Sequence, residues 1–116
     1  MEHFEKINVD GVFVIEVNLT RSTLNEAIAF RKIVEEEINS GHTNLIIDLS
    51  NCDYIDSTFF GAIMMALEMM KDKGYKLKVV KPVKPKEDIF ILTNTLRLFD
   101  LYKTREDAIK SFDSDS

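Results

Sequence analysis

Cysteine occurs once in the 116 residues, at Cys52, so no disulfide can close within the chain. The two histidines, His3 and His42, lie too far from it to give a metal-ligand spacing. No run approaches the roughly 18 uninterrupted apolar residues of a membrane span, and Met1-Glu2-His3-Phe4-Glu5 has no basic region leading into an apolar one. A cytoplasmic protein with no membrane partner is expected. Lysine and arginine form no stripe and the formal net charge is -5, which argues against nucleic acid as a partner. Of the four glycines only Gly61 stands away from a turn or helix end, which leaves little from which to build a phosphate cradle. Nucleophile-elbow, His/Glu zinc and calcium-loop patterns are missing as well. The nearby carboxylates Asp48 and Asp53 read as strand-end and loop residues. No cofactor, no metal and no enzymatic activity are expected.

What is present has the size of one domain, and 45% apolar with 30% charged residues is the balance of a globular chain. Phe4 to Val9 and Val12 to Val17 flank Asp10-Gly11, a hairpin signal because both turn residues tolerate positive φ. Beyond Ser22, Ala27, Phe30, Val34 and Ile38 recur at helical spacing up to the terminator Gly41, with Glu35, Glu36 and Glu37 expected on a solvated flank. Leu45 to Leu49 is a short, nearly continuous apolar run, as in a central covered strand. A helix is expected from Ser57 to Lys73, closed by Gly74, followed by a strand from Lys76 to Val80 that Lys81-Pro82-Val83-Lys84-Pro85 breaks off. A third helix is expected from near Lys86 through Ile89, Leu92 and Leu96. A short strand at Leu101-Tyr102 and a last helix from Arg105 to Phe112, capped by Thr104, complete the order. The expected fold class is α/β, a mixed sheet of four to five strands with about four helices packed on it, over residues 1–112, with 113–116 fraying.

The segment from Tyr54 to Gly61 stands where a buried strand and its loop deliver the chain to a helix, a place where partners and ligands tend to be met. Asp56 or Ser57 suits the helix N-cap. A phosphate on Ser57 would face free amides and the positive end of the helix dipole, so the fold would tolerate it while a docked partner would not. At about 100° per residue, Phe59, Ile63, Ala66, Leu67 and Met70 gather on the core face of this helix. Gly61, Met64, Met65 and Glu68 fall on the side of Ser57. The expected partner-binding residues are Asp56, Ser57, Thr58, Phe59, Phe60, Gly61, Met64 and Met65.

Asp48-Leu49-Ser50, then Tyr54-Ile55-Asp56-Ser57-Thr58, then Gly61 resembles the signature of STAS domains of the anti-sigma factor antagonist type. There a buried strand ending Asp-Leu-Ser precedes Asp-Ser-small-Gly-Leu-Gly at a helix start. The resemblance spans nearly the whole chain. It implies an antagonist that binds a protein acting both as anti-sigma factor and serine kinase, freeing a sigma factor and so regulating transcription indirectly. It further implies that Ser57 is the phosphorylated serine, that a serine phosphatase reverses the modification, and that self-association into a homodimer stays open. Two departures stand out. Phe59-Phe60 replaces the family's Gly-Leu, and Asn18-Leu19-Thr20-Arg21 replaces Gly-x-Leu-Asp, removing a loop acid that would assist phosphotransfer. Both favour an alternative, a phosphorylation-independent STAS scaffold or a module sensing a small ligand or nucleotide.

Overall fold

The computed structural model describes residues 4–18, 21–22, 24–52, 54–82 and 100–114. His3, Leu19, Thr20, Asp53 and the helix expected from Lys86 lie outside the described residues. Strands β1 (Phe4–Val9) and β2 (Val12–Val17) form the expected hairpin. Its two turn residues both take positive φ, 52° at Asp10 and 83° at Gly11, the combination that matches the twist of the strands they join. Strand β3 (Arg21–Ser22) and helix α1 (Leu24–Asn39) follow. The end of α1 is closed by Gly41 at φ 88°, whose amide donates to Ile38 O at 3.0 Å. Next come β4 (Asn44–Asp48), β5 (Tyr54–Ile55), α2 (Ser57–Asp72), β6 (Lys76–Val80), β7 (Asp100–Tyr102) and α3 (Arg105–Ser114).

The main sheet has the order β1-β2-β4-β6-β7, with β1 antiparallel to β2 and the other neighbours parallel. Strands β3 and β5 pair separately in a two-residue parallel sheet, a feature without a local sequence signal. The mixed five-stranded sheet agrees with expectation. The described helices number three rather than about four, the remaining expected one falling within 83–99.

Period-two alternation sorts the sheet residues onto two covered faces. Ile15, Val17, Leu45, Ile47, Leu77 and Val79 join Ala27, Phe30, Val34 and Ile38 of α1 and Phe59, Ile63, Ala66 and Met70 of α2 in one core. Val12, Val14, Ile46 and Val80 form a smaller one with Ala108, against which Ile109 and Phe112 of α3 pack. Ile46 and Ile47 are adjacent and both fully buried, which is why Leu45 to Leu49 reads as a run rather than an alternation.

Two charged residues depart from simple patterning. Glu37, expected on a solvated flank, is buried, because the end of α1 turns it toward β1 and the following loop. There Lys6 Nζ lies 3.3 Å and His42 Nε2 3.2 Å from its carboxylate. Lys78 alternates in sequence with apolar neighbours but is only 1% exposed beneath α3. Its amine donates to Ser111 Oγ at 2.7 Å and lies 4.4 Å from the centre of the Phe112 ring, a desolvated cation over an aromatic face. That contact engages the last turns of α3, which runs to Ser114, two residues past the expected end at Phe112.

Because β4 is packed from both sides, Ile47→Ala should cost about 2–5 kcal/mol. Urea unfolding should show a lower midpoint with an unchanged m-value, the mark of a less stable but equally compact native state.

Candidate protein-interaction site

The loop that leaves β4 is tied down by polar contacts, two of them local and one to the residue after β2. Asp48 Oδ1 accepts from the Ser50 backbone amide at 2.9 Å, Asn51 Nδ2 donates to Asn18 Oδ1 at 2.9 Å, and the Cys52 amide donates to Leu49 O at 3.0 Å. Cys52 and Ile55 are buried and anchor the loop to the core from either side of its middle. Serine, asparagine and aspartate concentrate here because their short polar side chains can replace backbone partners where regular structure stops.

Asp56 then caps α2. Its backbone is extended (φ -82°, ψ 173°), and its side chain accepts from the Phe59 amide at 2.8 Å while its carbonyl accepts from Phe60 at 3.0 Å. Ser57 is therefore the first helical residue, exposed, with Thr58 exposed beside it. The amides of a helix's first turn lie outside its hydrogen-bond ladder and carry the positive end of the dipole. With the Asp56 carboxylate committed to Phe59, the Ser57 hydroxyl stands at an electropositive, solvent-facing helix start.

The residues expected to bind a partner divide in two. Ser57, Thr58 and Gly61 are exposed, and Asp56, Met64 and Met65 are half-buried, giving one outward strip along the start of α2 that Glu68 continues. A Cβ at Gly61 would meet nothing within 4 Å. Met64 also leans on the main core. Phe59 and Phe60 take no part in this strip, because both pack inward. Phe59 is fully buried with its ring centre 4.9 Å from that of Phe30 on α1, and Phe60 is 6% exposed.

A second polar cluster has no counterpart in the sequence reading. At the ends of β2 and β4, Glu16 and Asp48 are register partners. Arg105, the first residue of α3, bridges them, donating through Nε to Asp48 Oδ2 at 2.9 Å and through Nη2 to Glu16. Burial alone would lower the Arg105 pKa, but the hydrogen bonds and charges of Glu16 and Asp48 outweigh it and hold the guanidinium above its ordinary value. The cluster forms the floor of an open cleft of about 390 Å³, completed by Ser50, Asn51 and residues 103–106. Arg105 lies 57 residues from Asp48 and 89 from Glu16, so no local pattern announces the bridge. Thr104 Oγ1 accepts from the Asp107 amide at 3.1 Å, the expected cap. Among the described residues no group of three or more His, Cys, Asp or Glu side chains could hold a metal ion, and no helix is long and apolar enough to cross a membrane.

Residues 3–108 match the family model of the STAS domain. A candidate anti-sigma factor antagonist of Thermotoga maritima is 26% identical over 102 residues, covering 88% of this chain and 90% of that protein. The crystal structure of a candidate anti-sigma factor antagonist from the same organism superposes with a TM-score of 0.81 at 27% identity, covering 93% of this chain and 92% of that one. The anti-sigma factor antagonist SpoIIAA in its unphosphorylated form shares the fold, with a TM-score of 0.73 at 16% identity over 94% of this chain and 96% of that one. The Bacillus SpoIIAA structure in the phosphorylated form gives 0.71 at the same identity, over 94% and 98%.

Asp56→Ala removes the acceptor for the Phe59 amide and should lower thermal stability by about 0.5–2 kcal/mol, whereas Asp56→Asn, which keeps an acceptor, should retain most of it. Calorimetry of the two variants checks the difference.

Proposed function

Since the chain belongs to the STAS domain family, we propose that it is an anti-sigma factor antagonist whose binding is switched at Ser57. It binds, without catalysing a reaction, a cytoplasmic partner that is both anti-sigma factor and serine kinase, and thereby frees a sigma factor. The observation that carries this reading is the exposed Ser57 hydroxyl at the first position of α2, on one outward strip with Thr58, Gly61, Met64 and Met65. The names of the relatives support the antagonist role, and a phosphorylated structure of SpoIIAA supports modification as a property of such a fold.

A phosphate on Ser57 adds about -1.5 to -2 charges beside Asp56 at neutral pH. The helix start tolerates it, and a partner docked over the strip does not, because like charge and desolvation oppose contact. Methionines within the strip offer polarizable side chains that adapt to a partner's shape. A serine phosphatase then restores the binding form.

The alternative of a phosphorylation-independent scaffold or ligand-sensing module draws on Phe59-Phe60. Both rings are packed into the domain's own core, so they neither crowd the outer side of Ser57 nor stand ready as an inter-domain contact. Their burial favours the switch.

Ser57→Asp should weaken binding of the kinase partner by about tenfold or more, with thermal unfolding close to wild type, and Ser57→Ala should bind as wild type does. Titration calorimetry reads all three. Equal affinities for Ser57→Asp and wild type would remove Ser57 from the interface.

A further inference from the structure

Glu16 and Asp48 sit side by side on neighbouring parallel strands, an arrangement that like charges oppose, and the Asp48 side chain is only 2% exposed. Arg105 makes the pair tenable by forking across both carboxylates. The two oxygens of Asp48 do different work. Oδ2 takes Nε of Arg105, and Oδ1 takes the backbone amide of Ser50, the residue that opens the loop to Ser57. Asn51 is held next by Asn18, just past the end of β2, the strand whose Glu16 the same arginine grips. One carboxylate thus joins the start of α3 to the start of the switch loop.

Resting on the reading of Ser57 given above, we infer that Arg105 is a positioning residue for that serine. By fixing the Asp48 carboxylate against the Ser50 amide, it sets the loop that presents Ser57 to the partner. Without the guanidinium, two adjacent carboxylates repel in a partly dry setting, Asp48 turns toward water, and the Ser50 amide loses its acceptor. Lysine cannot substitute, since a point charge does not grip two carboxylates in one plane. The far end of α3 is anchored separately by Lys78, Ser111 and Phe112, so loosening that end provides a control.

The test combines amide hydrogen exchange on the whole chain with affinity for the anti-sigma kinase partner, for wild type, Arg105→Met, Asp48→Asn and Ser111→Ala. Arg105→Met should speed exchange at Ser50 and along the loop to Ile55 by about tenfold and weaken partner binding, with the buried turns of α2 unchanged. Ser111→Ala should speed exchange within α3 alone. Asp48→Asn keeps an acceptor for Ser50 but turns a donor toward Arg105, and should loosen the same loop amides; it decides the question if Arg105→Met does not fold. Loop exchange at the wild-type rate in Arg105→Met, or in Asp48→Asn where that variant has to decide, overturns the inference. So does a response of the loop in Ser111→Ala as large as in Arg105→Met, which would make the effect one of helix docking in general. Wild type that fails to bind the partner while the loop still answers to Arg105 leaves the positioning role standing and removes the proposed function instead.

Discussion

Strand β4 has to hide side chains on both faces, and the layering of the domain follows from that constraint. Leu45 and Ile47 point to α1 and α2, Ile46 points to α3, and all three are fully buried. A five-residue strand dry on both sides needs parallel neighbours and helices above and below. Its one charged side chain, Asp48, comes at the carboxyl end where the sheet stops, and it is buried in an ion pair. From that point the chain leaves the sheet through a polar loop and starts α2 at Ser57.

The position of the serine is therefore a consequence of the core. Phe59, two residues later, locks α2 against Phe30 of α1, and the Asp56 carboxylate fixes the helix start by holding the Phe59 amide. A side chain one place before that aromatic anchor, or two, faces water by helical geometry. Ser57 and Thr58 are held in place by groups on either side of them while remaining exposed. A group placed this way can gain or lose a phosphate without disturbing what holds it, since the charge arrives at the end of the helix suited to receive it.

Much of this is legible in the residue order because it rests on local rules. Asp10-Gly11 dictates a hairpin turn, Ala27, Phe30, Val34 and Ile38 dictate a helix face, and Asp56-Ser57 marks a helix start whose cap, open to either residue in the sequence, the structure gives to Asp56. The aromatic pair is a different matter. Measured against a family pattern with glycine and leucine, Phe59-Phe60 reads as added surface, whereas the wheel alone already turns Phe59 to the core, and Phe60 follows it into burial beside Ala62 and Ile63. The bridge from Arg105 to Glu16 and Asp48, the burial of Lys78 under Phe112 and the pairing of β3 with β5 are contacts between distant segments. Periodicity carries no information about such contacts, because each residue alone looks like an ordinary charged or loop residue.

Intact-mass and peptide analysis of the wild-type chain after incubation with ATP and the anti-sigma kinase proposed as its partner, beside Ser57→Ala, tests the central claim most directly. A single phosphate on the Ser57 peptide, absent from the Ser57→Ala chain, is the predicted result. Stable binding of the kinase with no phosphate on Ser57, or a phosphate that persists in Ser57→Ala, would contradict it.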